Sequence, residues 1–172
     1  MFLITAMNTL GVSYAFYFSS MLCLSISLPI AAVRTYQALY QKKLKRSTTI
    51  LTEIVVELLR IVQYVLFIAY GTRTPYGSLF LAKTWKMMFA GVHQLEWVPL
   101  LWDLIGFIVV FGLYNAILFM ILKPSIVKLL MNKIGIGRFE VSTVRNAFML
   151  AYKNLFLIPV SMIYLFYMLN II

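Results

Sequence analysis

Apolar residues fall in long blocks along this chain, separated by short stretches rich in Lys, Arg, Gly and Pro. Four blocks reach the roughly 20 residues that a helix needs to cross the hydrocarbon core of a bilayer. They predict spans over residues 11–33, 50–70, 98–122 and 147–171. In lipid, only a helix or a closed barrel satisfies its own backbone polar groups, and blocks this long read as helix. The predicted fold class is all-α: an integral membrane four-helix transmembrane bundle, a single domain over residues 1–172. No Lys or Arg precedes the first block, and the first charge is Arg34. The block therefore reads as a span rather than a cleaved secretory signal, which has a basic leader and a shorter apolar core.

The connecting stretches carry a helical period of their own, so the bundle is expected to have short interfacial helices in its loops. Leu79, Leu81, Trp85, Met88, Phe89 and Val92 recur at helical spacing, with Lys83 and Lys86 on another side. That pattern predicts a helix lying in the interface. A re-entrant segment beginning at Pro75-Tyr76-Gly77 is the alternative. Ile126, Val127, Leu129, Leu130 and Ile134 repeat the pattern beside Lys128, Asn132 and Lys133. Gly135 and Gly137 then stop it, as glycines do just past a helix end. The stretch RTYQALYQKKLKR after the first block holds no breaker, so its helix should continue past Arg34.

Lipid gives little hydrophobic drive between helices, so small residues are what bring helix backbones together. Ser13, Ser20 and Ser27 lie seven apart, with Ala31 one turn on; Gly112 with Ala116, and Ala147 with Ala151, make small-xxx-small pairs. Pro29 and Pro159 are candidate kinks.

One block departs from the apolar rule. The stretch TEIVVELLRIVQY, Thr52 to Tyr64, places Glu53, Glu57, Arg60 and Gln63 inside the second span. At about 100° per residue, with Glu53 at zero, Glu57 falls near +40°, Arg60 near −20° and Tyr64 near +20°, with Gln63 roughly 80° to one side. Arg46 and Thr49 extend the stripe. A charge at the centre of a span costs about 2.5–3.5 kcal/mol on insertion scales, so such groups are paired or functional. Counting depth from the predicted span ends offers Lys153, Asn154 and Asn115 as partners for Glu53 and Glu57, and Asp103 for an outward-reaching Arg60. Three readings follow: an interhelical clamp, an ion or proton path along the stripe, and interfacial placement, which suits Glu53 alone. Arg60 on the same stripe counts against a cation path.

Composition narrows the class. The chain is 63% hydrophobic and 12% charged, against about 45–50% and about 25% in an average soluble domain. So small a fold could not hide that excess, and a membrane is the expected surrounding. The net charge of +10 comes from residues flanking the apolar blocks. Anionic headgroups are thus the expected partner, through Lys42, Lys43, Lys45, Arg46, Lys128, Lys133 and Arg138, and nucleic acid is not expected. The first loop carries Arg34, Lys42, Lys43, Lys45 and Arg46, and the third carries Lys123, Lys128, Lys133, Arg138 and Arg145. The middle loop has only Arg73, Lys83 and Lys86. The positive-inside rule then puts the first and third loops inside and both termini outside. A bacterial cytoplasmic or organellar inner membrane is the expected location.

Chemistry-bearing motifs are sparse. Cys23 is the one cysteine and His93 the one histidine, near Glu96 in a loop. Neither provides metal-ligand spacing, and no phosphate loop, dinucleotide fingerprint or nucleophile elbow occurs. No metal, cofactor or enzymatic activity is expected. The sequence reads as a non-enzymatic subunit of a membrane assembly (a scaffold, sensor or regulator), homo-oligomeric or joined to other membrane subunits. A small ion or proton channel along the charged stripe is the alternative, and the membrane subunit of a transporter is a third.

Overall fold

The computed structural model describes residues 2–172, and every regular element among them is a helix. In chain order these are α1 (Phe2–Ser19), α2 (Met21–Tyr40), α3 (Arg46–Gly71), α4 (Ala82–Met88), α5 (Trp97–Ile121), α6 (Pro124–Ile134), α7 (Val141–Tyr152) and α8 (Ile158–Met168). Two 3-10 turns, Tyr76–Phe80 and Ala90–Gln94, flank α4, and a π turn, Lys153–Leu157, joins α7 to α8. Four helical stretches are long and apolar enough to cross a membrane: Met21–Tyr40, Arg46–Gly71, Trp97–Ile121 and Val141–Met168.

The predicted first span, 11–33, straddles a break. Ser20 is extended, with φ −104° and ψ 98°, and its hydroxyl accepts the Cys23 N–H at 3.4 Å to cap α2. Serine is favoured at this position because its side chain satisfies an N–H that the first helical turn leaves unpaired. The stretch long and apolar enough to span therefore begins at Met21, and α1 is a separate helix. The fourth stretch also starts earlier than predicted, at Val141 rather than 147, since nothing after Gly137 breaks it.

One buried face nevertheless continues across Ser20: Ala6, Ser13, Tyr17, Cys23, Ser27 and Ile30 are all buried. The half before the break packs on α5 and α8, and the half after it on α3, α7 and the π turn. The buried serines satisfy themselves: Ser13 Oγ donates to the Thr9 carbonyl at 2.7 Å and Ser27 Oγ to the Cys23 carbonyl at 3.0 Å. They therefore line the interface without an orphaned donor. The predicted pair Gly112 and Ala116 is not a contact, because Gly112 faces open space. The close approach is at Gly106, where an added Cβ would lie 2.8 Å from the Ala6 Cβ.

Pro159 explains the π turn. Proline has no N–H and its ring crowds the carbonyl four residues earlier. That carbonyl belongs to Leu155, and the Tyr17 hydroxyl donates to it from across the α1 interface. The Ile158 N–H reaches back to the Lys153 carbonyl, five residues away. Pro29, by contrast, lies inside an uninterrupted α2.

The main core gathers Tyr17, Phe67, Val160, Ile163 and Tyr164. A second cluster of Leu118, Leu122, Val127, Met131 and Val144 seats α6 against α5 and α7. Arg145 ties this corner by donating to the Leu122 carbonyl at 2.7 Å while lying over the Phe119 ring. Gly135, at φ 77°, ends α6 in the left-handed region where glycine alone is unstrained. The outward side of α6 keeps Ile126, Leu129 and Ile134 exposed. In the middle segment the helical part is shorter than its apolar period suggested: α4 has 7 residues, burying Thr84 and Met88 and exposing Lys83 and Lys86.

Polar contacts show which connections share an end. Lys42 pairs with Glu140 at 2.8 Å, and Arg138 donates to the Tyr40 hydroxyl at 3.3 Å. The first and third loops are therefore neighbours. At the other end, Gly91 of the middle segment abuts the Asn170 carbonyl so closely that a Cβ would fall 2.1 Å from the oxygen.

Candidate functional site

Helices α2 and α3 run antiparallel, and polar side chains link them in register. Gln37 Nε2 donates to Thr52 Oγ1. Arg34 Nη2 donates to Glu57 Oε1 at 3.0 Å, and its Nη1 lies 3.8 Å from Glu53 Oε1. Gln63 Nε2 donates to Ser27 Oγ at 2.6 Å. Moving up the ladder, the α2 residue number falls as the α3 number rises, as antiparallel packing requires. Arg34 Nη1 also donates to Gln37 Oε1 at 3.1 Å, which fixes the guanidinium on its own helix.

A third element closes the network. Arg60 Nη1 donates to Glu57 Oε1 at 2.7 Å, and Arg60 Nη2 donates to Asn154 Oδ1 on the π turn. Asn154 in turn donates to the Leu150 carbonyl at 2.7 Å. The Glu57 carboxylate thus sits between two guanidiniums. Both arginine side chains are only 18% exposed, whereas Glu57 and Glu53 are 54% and 55% exposed. The cations are the buried partners, and the carboxylates lean outward over them. Such charge-assisted bonds are the strong class of hydrogen bond.

The structure sorts the residues named from the sequence. Glu53, Glu57 and Arg60 share one network through Arg34, and Gln63 stands outside it on a separate rung with Ser27. Asn154 joins Arg60 rather than the glutamates. Lys153 lines the adjoining cleft, and no ion pair brings it to Glu53 or Glu57. Asn115 donates to the Phe111 carbonyl of its own helix at 2.8 Å, because the third span packs away from the stripe. Asp103 lies in another cleft of about 500 Å³ with Thr9, Gln94, Glu96 and Asn170, near the middle segment, and Arg60 does not reach it. Sequence reasoning missed Arg34 as the chief counter-ion by counting it with the loop. Its signal was present: Arg34 and Gln37 stand three apart in a run with no breaker.

Of the basic residues expected at headgroups, Lys43, Lys45, Arg46, Lys128 and Lys133 are exposed. Lys42 is engaged by Glu140, whose carboxyl it holds below the usual carboxylate range through a hydrogen bond and its charge. Arg138 lies over the Phe139 ring at 5.1 Å.

Behind the ladder, a cleft of about 620 Å³ opens between α2, α3 and the α7–π segment. Arg34, Arg60 and Lys153 line it with Gln37, Thr143 and Asn146, and Glu53 is its one lining carboxylate. Among the described residues, no three His, Cys, Asp or Glu side chains gather as a metal site would need. The arrangement can fix helices against one another and can attract an anion.

No known protein family, curated protein or solved structure matches the chain.

Proposed function

We propose that the chain is a multi-pass membrane protein working as a non-enzymatic subunit of a membrane assembly, as a scaffold, sensor or regulator, with copies of itself as its first partner. The observation that carries this reading is the ladder. The charges of α3 are taken up inside the chain by Arg34 and Asn154, so they serve to hold α2, α3 and the π turn together. The remaining surface of α3 and α5 supports it: Leu51, Ile54, Leu58 and Ile61, and Leu101, Ile108 and Leu113, are exposed and apolar, suited to lipid or to neighbouring subunits. Clustering of the basic first and third loops at one end supports an orientation with that end inside and both termini outside, in a bacterial cytoplasmic or organellar inner membrane.

A channel reading draws on the two polar clefts, one beside Asp103 and one beside Arg60. The fully buried Tyr17, Phe67 and Ile163 fill the core, which favours the structural reading of the ladder. Purified protein in nanodiscs and liposomes separates the two. The subunit reading expects a defined oligomer by native mass spectrometry and no ion flux at acid or neutral pH under applied voltage. A monomer would remove the self-partner. Flux altered by Glu57→Gln in an otherwise folded protein would replace the subunit reading with the channel.

A further inference from the structure

We propose that the cleft between α2, α3 and the α7–π segment is a binding site for a phosphate-bearing anion, held by Lys153 together with Arg34 and Arg60. This goes beyond the subunit reading and stands whether or not the chain oligomerises.

Three observations converge. The first is charge. Arg34, Arg60 and Lys153 come to the cleft from α2, α3 and the π turn respectively. Facing them are Glu57, shared between the two guanidiniums, and Glu53, whose nearest oxygen is 3.8 Å from Arg34. One cation is therefore uncompensated. The second is the state of Lys153 itself. It is half-buried, and no hydrogen bond or ion pair reaches its ammonium group among the described residues. An ammonium has three donors and no acceptor, and leaving it partly desolvated without a partner is costly. The third is how Lys153 is placed. The π turn adds a residue to the helical repeat and so changes the direction of the side chains within it. Asn154 is locked by Arg60 and Leu150, which fixes its neighbour Lys153 at the cleft wall. Gln37 on α2 supplies a hydrogen-bonding group on the facing wall, and Thr143 and Asn146 supply others on the α7 side of Lys153's own segment.

Size and access identify the class. A volume of about 620 Å³ suits a small molecule or a headgroup. Gln41 and Leu44, at the loop end of α2, line the same cleft, and Gln41 and Thr143 are shared with a second recess that holds Lys42, Lys43 and Arg138. Guanidinium and ammonium groups together match the several oxygens of a phosphate better than the two of a carboxylate. An anionic phospholipid and a soluble phosphate monoester share this chemistry.

The test uses the full chain in dodecyl maltoside, titrated separately with phosphatidylglycerol, phosphatidylcholine, glycerol 3-phosphate and sodium chloride at matched ionic strength. Native mass spectrometry counts the bound molecules, and thermal unfolding reports stabilisation. The site predicts one phosphatidylglycerol or one glycerol 3-phosphate per chain, bound about tenfold or more tightly than phosphatidylcholine. Saturation by the lipid alone assigns a headgroup, and saturation by glycerol 3-phosphate assigns a soluble ligand. Lys153→Gln should weaken that binding about tenfold, and Lys86→Gln, in the middle segment, should leave it unchanged. If Lys153→Gln does not fold, Thr143→Val and Asn146→Leu, which line the same cleft from α7, take its place with the same threshold. Absence of saturable binding to either phosphate compound overturns the proposal. So does a folded cleft variant that binds like the unsubstituted chain, or equal losses in the cleft and Lys86 variants.

Discussion

The carboxylate of Glu57 accepts from Arg34 and Arg60 at once, so deleting it strips two guanidiniums of a partner. Hydrogen bonds to charged groups are worth about 1.5–3 kcal/mol net. Glu57→Gln and Arg34→Gln should each lower unfolding stability in detergent by about that amount. Because both remove the same contact, the double variant should lose less than the sum by roughly 0.5–3 kcal/mol. Strictly additive losses would show that the pair is not coupled. Lys42 and Glu140 make a weaker case, being exposed and open to screening by salt. Lys42 depresses the Glu140 pKa below its unfolded value. The pair's contribution is therefore present above the ordinary carboxylate range and is lost as pH falls through the depressed pKa. Lys42→Met should be slightly less stable at neutral pH, and that difference should vanish in acid; a gap that persists in acid would point to packing by the lysine stem. At this scale the sequence showed the α3 stripe, because helical period alone aligns Glu53, Glu57 and Arg60. It did not show which partner each would choose, since Arg34 and Lys153 both offer a cation at plausible depth and only tertiary packing decides between them.

Among the helices, those with strong local signals were the easiest to read. The blocks behind α3 and α5 were placed within a few residues of their observed ends, because unbroken apolar runs leave few alternatives. The break at Ser20 was not anticipated, because both sides are equally apolar and the signal is a single capping hydroxyl. The π turn was equally hidden: Pro159 announced a disturbance, but the Tyr17 hydroxyl that satisfies the Leu155 carbonyl lies far away in sequence. Small residues show the same limit. Gly106 and Gly112 look alike in the sequence, yet only Gly106 meets another helix. Gly106→Val should force α1 from α5 and cost about 1–3 kcal/mol by overpacking. Gly112→Val should stay within about 0.5 kcal/mol, as surface substitutions usually do. Paired thermal melts in one detergent check this, and equal losses would mean that α1 does not dock on α5 through Gly106.

The molecule as a whole has two electrically different ends. The first and third loops bring Lys42, Lys43 and Arg138 together around Glu140 at one of them, and the Asp103 cleft with Glu96 lies toward the other. Cys23 is buried, so single cysteines placed elsewhere can report topology over a quiet background. In intact cells, Lys43→Cys and Lys133→Cys should resist a membrane-impermeant maleimide, while Lys86→Cys should react. Labelling of all three, or the reverse pattern, would overturn the proposed orientation. Basic flanks at corresponding loops made this grouping visible in the sequence, whereas the clefts needed the packed structure, because their walls come from segments at opposite ends of the chain, such as Arg34 with Ile158 and Thr5 with Asn170. The uneven distribution of charge also has a consequence for an energised membrane. With the basic end on the negative side, inverting the molecule would carry each of its uncompensated cations against the membrane voltage. That work is about 2.3 kcal/mol per charge for every 100 mV, so a voltage of that sign would itself help hold the molecule in the proposed orientation.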